Sequence, residues 1–191
     1  MANTTGKKIK DIAIIGGCAS LIYLTIGDIS YRLSLSRGGL NSKLITDMVA
    51  KSAAKKPKNE YKEKLDSMID DGADWFMHQD TEKIIIEKKH RQSLYADLIR
   101  PDKPSNVYII CIHGYTSSPA NMGIYAKKYH ELGYNVLLPS LRGHGDSEQD
   151  FITMGWNDRL DVIEWINYIA ERHPESKIIL HGVSMLSLIH I

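Results

Sequence analysis

The residues whose chemistry is easiest to interpret lie at positions 177–185, near the end of the sequence. Residues 178–180 are apolar and predict a short buried strand, which leads directly into Gly182-Val183-Ser184-Met185. A serine on a sharp strand-to-helix turn presents its hydroxyl above a parallel sheet, where it can attack a carbonyl carbon. The pattern therefore predicts acyl transfer with Ser184 as the nucleophile.

The expected turn is incomplete on one side. It needs very small residues two positions before and two positions after the serine, because the helix packs closely on the strand. Gly182 meets the first requirement, but Leu186 stands at the second position. The Cβ of Leu186 is expected to crowd the packing of the helix on the strand.

Two further glycine- and histidine-rich motifs follow predicted strands. His113-Gly114-Tyr115 comes after a nearly continuous apolar run at 106–112, and Arg142-Gly143-His144-Gly145 comes shortly after a strand at 135–138. Sites in open parallel sheets form at the carboxyl ends of the strands. Each motif is weak alone, but their order and matching positions predict that they lie together with Ser184.

The elements that must position these motifs follow an alternating pattern. Residues 83–88 and 93–100 predict a hairpin, and residues 119–132 and 156–172 predict helices between the later strands. The buried face of the second helix is predicted to carry Leu160, Ile163, Ile166 and Ile169. Strand–helix alternation with short connections predicts an α/β fold, a mostly parallel sheet flanked by helices.

The N-terminal part has a different character. Residues 12–27 are apolar and follow three lysines, but about 16 residues is short of the ~20 that a bilayer-spanning helix needs. We expect residues 1–10 to be a short cytoplasmic N-terminus and 11–35 an uncleaved transmembrane or signal-anchor helix, which leaves the rest of the chain extracytoplasmic. A cleaved signal peptide, a lipoprotein signal and a soluble segment are the alternatives.

Residues 36–80 predict a helical connector between this segment and a domain at 81–191. Two amphipathic candidates lie in it, one around Leu44 to Val49 and one carrying Tyr61, Leu65, Met68 and Ile69. They are expected to pack on the domain or on a membrane surface.

Composition excludes several classes of protein. The net charge of +1 offers no strongly basic face for nucleic acid, and two cysteines do not indicate a disulfide framework. No group of residues has the spacing of metal ligands. We therefore expect no nucleic-acid partner, no metal and no cofactor.

From about Thr81 onward, the chain resembles the N-terminal half of an α/β-hydrolase. It is most similar to bacterial members grouped with serine aminopeptidase-like and monoglyceride-lipase-like enzymes, some of which are membrane-anchored. The resemblance implies that Ser184 is the nucleophile and that the backbone N–H groups of Tyr115 and Met185 form the oxyanion hole. It also implies supporting roles for residues of the three motifs: His113, Gly114, Gly143, His144, Gly145 and Gly182.

The same resemblance implies that the chain lacks part of its machinery. The acid and the histidine follow the serine in chain order in this fold, so both are expected beyond residue 191. The histidines present, including His113, His144, His181 and His190, are not expected to act as the base. We interpret residues 186–191 as not belonging to the natural sequence of the protein, and we expect the chain to be an inactive fragment.

The sequence thus predicts a hydrolase of carboxylic esters or amides, acting on a small-molecule or peptide substrate and anchored to a bacterial cell membrane. Two alternatives remain open. The chain could be a non-catalytic, hydrolase-like binding protein, with Leu186 marking a genuine loss of the turn. It could also be an acyltransferase or thioesterase that uses the same nucleophile.

Overall fold

The computed structural model describes residues 20–36, 59–87, 93–147 and 149–184. Helix α1 covers residues 20–35. The remaining elements, in chain order, are α2 (Glu60–Met77), β1 (Glu82–Ile86), β2 (Leu94–Ile99), β3 (Val107–Ile112), a 3₁₀ turn (Pro119–Met122), α3 (Gly123–Glu131), β4 (Asn135–Ser140), α4 (Asp158–Arg172) and β5 (Lys177–Gly182).

The five strands form one sheet in the order β1-β2-β4-β3-β5. The predicted hairpin is confirmed, because β1 pairs antiparallel with β2, and the three later strands are parallel to one another. β2 also pairs antiparallel with β4, so the described sheet is mixed, where the sequence predicted a mostly parallel one. Both antiparallel pairs involve the hairpin, because its second strand, β2, pairs with β1 and also with the edge strand β4 of the parallel part.

The central strands β3 and β4 are buried on both faces, as their continuous apolar sequences predict. Two cores lie on opposite sides of the sheet. One packs α4 against the hairpin and β3 and includes Val162, Trp165 and Ile169. The other packs α2 and α3 against β3 and β4 and includes Phe76, Met122 and Ala126.

The predicted buried face of α4 was wrong in part. Leu160 is 41% exposed and Ile163 is 50% exposed, whereas Asp158 and Asp161 are buried. The helix is rotated so that its two aspartates face the loops at the carboxyl edge of the sheet. Polar contacts, described below, decide this rotation, and hydrophobic periodicity cannot detect them.

Helix α2 contains the second predicted connector helix and begins at a defined cap. The side chain of Asn59 accepts hydrogen bonds from the backbone N–H groups of Tyr61 and Lys62 at 3.0 and 3.4 Å. Tyr61 nevertheless points to solvent, and the helix docks through its second half. The first predicted connector helix lies outside the described residues, and the predicted domain boundaries stay predictions.

Docking of α2 on α3 depends on two glycines. A Cβ on Gly72 would lie 2.3 Å from the backbone nitrogen of Ile124, and one on Gly123 would lie 2.0 Å from the carbonyl oxygen of Gly72. Both distances are far inside van der Waals contact. The two helix backbones therefore touch directly, which only glycine at both positions allows.

Helix α1 represents the part of the predicted anchor that falls within the described residues. None of the helices in the described ranges combines the length and the apolar character needed to cross a bilayer. Residues 11–19 of the predicted segment lie outside those ranges.

We predict that Gly123→Ala destabilises the protein by roughly 1–3 kcal/mol, because the new methyl group forces α2 away from α3. Urea denaturation measures the loss, and hydrogen exchange should show reduced protection of α2. Gly27→Ala is the matched control, since a Cβ at Gly27 meets nothing within 4 Å. An unchanged denaturation midpoint for Gly123→Ala would contradict the contact.

Candidate active site

Ser184 stands on a strained turn immediately after β5. Gly182 ends the strand opposite Ile112 of β3, and the N–H of Val183 donates to the Ile112 carbonyl at 3.1 Å. The next residue, Ser184, has a φ of +62° and an exposed side chain. The left-handed conformation costs an L-residue roughly 1–2 kcal/mol, and such strain concentrates at functional sites.

The loop after β3 lies directly against this serine. A Cβ on Gly114 would be 2.9 Å from the Cβ and 3.6 Å from the Oγ of Ser184. The motifs that follow β3 and β5 therefore meet, as their positions at the ends of neighbouring parallel strands predict. Only glycine at position 114 leaves room for the two loops to approach.

His113 joins the loop after β3 to the loop after β4. Its Nε2 accepts the N–H of Leu141 at 3.2 Å, so its proton is on Nδ1, which donates to the carbonyl of Gly114 at 3.0 Å. The side chain is fully buried. Burial lowers the pKa of His113 to about 4, so the imidazole is neutral at physiological pH.

His144 makes the same connection in the opposite direction. Its Nε2 accepts the N–H of Thr116 at 3.1 Å, and its Nδ1 donates to the carbonyl of Arg142 at 2.9 Å. Thr116 has a φ of +55°, so this bond holds a strained turn directly after Tyr115. Both ring nitrogens of His113 and of His144 are engaged with backbone groups, and neither ring is placed to accept a proton from Ser184.

The glycines of the loop after β4 allow close packing in left-handed conformations. Gly143 has a φ of +72°, and a Cβ there would lie 2.9 Å from Cγ1 of Ile152. Gly145 has a φ of +50°, and its Cβ would lie 2.9 Å from the Oγ of Ser140. Both predicted supporting glycines thus occupy positions at which a side chain would be strained and crowded.

A partly buried ion pair fixes this loop to α4. Arg142 donates two hydrogen bonds to the carboxylate of Asp161, at 2.5 and 2.7 Å. The hydrogen bond to Asp161 raises the pKa of Arg142. The sequence motif contains Arg142, but nothing in the local pattern indicates its partner 19 residues away.

A second ionic contact ties the hairpin to the same loop. Lys83 lies 2.9 Å from the carboxylate of Asp97 and 3.2 Å from that of Asp146, and the hydrogen bond to Asp97 raises the pKa of Lys83. Asp97 is buried in β2, where Thr81 also donates to it at 3.0 Å. Asp97, a carboxylate within an otherwise apolar strand, is the feature of the sequence that could have indicated this network.

His181 faces the α3 side of the sheet. Its Nδ1 lies 2.9 Å from the hydroxyl of Tyr129, and its ring lies 4.4 Å from that of Tyr125. Burial lowers its pKa. The side chain of His181, a residue of β5, therefore packs against α3.

Three residues named in the predictions fall outside the described residues. Met185, the second predicted oxyanion donor, lies beyond residue 184, as do Leu186 and His190. Within the described ranges, no three His, Cys, Asp or Glu side chains lie together in a way that could hold a metal ion.

Comparison with known proteins supports an ester-hydrolase relationship. No protein-family model matches the chain. A thermostable monoacylglycerol lipase of Bacillus sp. (strain H-257) is 28% identical, over 36% of this chain and 37% of the lipase. An esterase of Pyrococcus furiosus is 28% identical with a TM-score of 0.53, over 60% of this chain and 45% of the esterase. A second crystal form of that esterase gives a TM-score of 0.50, over 60% and 46%.

The chain therefore spans less than half the length of these relatives. The described region has an α/β-hydrolase-like fold, a mixed sheet flanked by helices, and the relatives support assignment to the α/β-hydrolase superfamily.

Removing the carboxylate of this ion pair should destabilise the fold. Asp161→Asn leaves the partly buried Arg142 without its counter-charge, and we predict a loss of roughly 1–3 kcal/mol of unfolding free energy, because solvent screens part of the charge. Glu131→Gln in the exposed Lys128–Glu131 pair is the control, and its denaturation midpoint should stay unchanged because exposed ion pairs contribute little to stability. Equal losses in the two variants, measured by urea denaturation, would contradict the role of the buried pair.

The buried His113 predicts acid sensitivity. The pKa of His113 is about 4 in the folded state, against an ordinary value of 6.5. Between these two pH values the unfolded chain binds a proton at this histidine and the folded chain does not. This stabilisation is present above pH 6.5 and is lost as the pH falls to 4, by about 3 kcal/mol. His113→Asn should flatten the dependence of unfolding free energy on pH between 6.5 and 4. Parallel curves for wild type and variant would refute the assignment.

Proposed function

We propose that the domain beginning near Thr81 is the N-terminal half of the catalytic domain of a serine hydrolase that cleaves carboxylic esters or amides. The observation that carries the proposal is the geometry at Ser184. Its hydroxyl stands at a left-handed turn after a parallel strand, and Gly114 of the neighbouring loop lies against it. Esters are the favoured substrates, because the similar proteins are named as a lipase and an esterase.

In the proposed reaction, the Oγ of Ser184 attacks the carbonyl carbon of the substrate. The general base takes the proton of the serine hydroxyl, and the electrons of the carbonyl bond move to its oxygen, which becomes an oxyanion. Collapse of the intermediate breaks the bond to the alcohol or amine, which leaves with the proton that the base returns. Water then cleaves the acyl-enzyme and regenerates the serine hydroxyl.

The oxyanion would be held by the backbone N–H groups of Tyr115 and Met185. The Thr116 N–H donates a hydrogen bond to His144, and this bond fixes the strained turn that follows Tyr115. The loop that carries the Tyr115 N–H is thereby held in one conformation. One such donor contributes roughly 10²–10³-fold to the rate.

The base and the acid of this reaction would come from sequence beyond residue 191. Among the described histidines, His113 and His144 have both ring nitrogens bound to backbone groups, and His181 faces α3. Residues 1–191 alone should therefore be inactive. The proposal extends to a membrane anchor at residues 11–35 with the catalytic domain outside a bacterial cell, supported by the apolar run and the preceding lysines.

Kinetics of the natural protein that carries residues 1–191 test the proposal. We predict that Ser184→Ala lowers kcat on short p-nitrophenyl esters by ~10³-fold or more, because the nucleophile is lost. Ser117→Ala is the matched control, since Ser117 lies on the loop after β3 and should retain nearly full turnover. Full activity in Ser184→Ala would overturn the proposal.

A non-catalytic binding role is the second candidate, and Leu186 favours it. A leucine two residues after the serine disagrees with the small residue that the turn requires. Absence of ester turnover in the natural protein, together with a leucine at 186 in its gene, would support this candidate.

A further inference from the structure

The apolar character of α1 extends around the whole helix. Leu21, Ile22, Tyr23 and Leu24 are consecutive, so they point in four directions about the axis, and each is between 58% and 79% exposed. A groove on a partner protein would cover one side of a helix, whereas lipid surrounds it. In the described part of α1, the charged residues Asp28 and Arg32 pair with each other at 2.8 Å.

The C-terminal end of α1 is fastened to the loop that precedes α4. Ser36 forms an antiparallel bridge with Phe151, and the carbonyl of Leu35 accepts the N–H of Ile152 at 2.7 Å. The rings of Tyr31 and Phe151 lie 5.5 Å apart. The helix is therefore part of the same body as the loops at the carboxyl edge of the sheet.

That loop presents further apolar side chains to the outside. Phe151 is 39%, Met154 50% and Trp156 73% exposed. Asp158 holds the loop from within, because its carboxylate accepts from the Thr153 hydroxyl at 2.7 Å and from the Gly155 N–H at 2.8 Å. Exposure of these side chains is thus a fixed feature of the fold.

The arrangement at Trp156 is typical of a membrane interface. The guanidinium carbon of Arg159 lies 4.1 Å from the centre of the Trp156 ring. Tryptophan is enriched at the level of the lipid headgroups, because its ring is apolar and its N–H is polar.

The same end of α1 contacts the candidate active site. The hydroxyl of Tyr115 donates to the carbonyl of Ser34, and Tyr115 follows Gly114, which lies against Ser184. The mouth of the site and the apolar surface are therefore separated by one loop.

We propose that α1 and the loop side chains Phe151, Met154 and Trp156 form one lipid-binding surface that holds the Ser184 site against a bilayer. The substrates would be esters that partition into lipid and enter the site from the bilayer. The inference deepens the proposed function and rests on it for the identity of the site. It adds an orientation and a second, loop-borne membrane contact to the proposed anchor.

Quenching of tryptophan fluorescence by brominated lipid tests this surface. The purified protein is incorporated into phosphatidylcholine–phosphatidylglycerol vesicles with and without brominated acyl chains, and the Trp156 signal is taken as wild type minus Trp156→Phe. We expect bromine to quench that signal roughly twofold or more, because the ring lies at the interface. Met154→Glu should abolish most of this quenching by lifting the loop from the lipid.

Leu132→Glu is the matched control. Leu132 is 64% exposed but lies in the turn before β4, at the opposite edge of the sheet, so its substitution should leave quenching unchanged.

An unquenched Trp156 in vesicle-bound protein would overturn the proposal. So would equal quenching in the Met154→Glu and Leu132→Glu variants, or burial of Trp156 in a lipid-free dimer. Fluorescence needs no turnover, so Ser184→Ala should quench like wild type, and this test can fail independently of the proposed reaction.

Discussion

The close approach of two backbone loops, at Gly114 and Ser184, is the constraint on which the site depends. A single methyl group at position 114 would collide with the serine at 2.9 Å. The approach is possible because β3 and β5 are neighbours in parallel register, so that their carboxyl ends stop side by side at Ile112 and Gly182. The sheet therefore determines where the chemistry can occur, and glycine determines how closely its parts can meet.

The loops around this contact are rigid because buried polar groups satisfy one another. His113 and His144 each use one ring nitrogen as a donor and the other as an acceptor, which requires both rings to be neutral. Arg142 and Asp161 anchor the loop after β4 to a helix, and Lys83 attaches it to the hairpin. The histidines and the arginine of the sequence motifs thus have a structural role here. Ser184, in contrast, is exposed on its turn.

Features that depend on local sequence could be predicted, and those that depend on distant partners could not. Strands and motifs were located by apolar runs and glycines, and the meeting of the loops at Gly114 and Ser184 followed from strand order. The inward face of α4 was missed because Asp158 and Asp161 are buried by contacts with a loop, which hydrophobic spacing does not report. The requirement for glycine at position 72 comes from its contact with α3, which the local sequence of α2 does not report.

The position of helix α1 relative to the candidate site is known only from its contacts. An apolar segment beside three lysines predicts membrane contact, but it does not indicate where the loops of the candidate site lie. The bridge between Ser36 and Phe151 joins that helix to the edge of the sheet that carries Ser184. The proposed anchor and the candidate active site thereby lie on one side of the described region.

Covalent labelling is the most direct test that Ser184 is an activated nucleophile. The natural protein that carries residues 1–191 is treated with a fluorophosphonate, and the modified residue is located by peptide mass spectrometry. The account predicts one adduct, on the peptide that contains Ser184, and none in Ser184→Ala. An adduct on another residue, or ester turnover without any adduct, would contradict it.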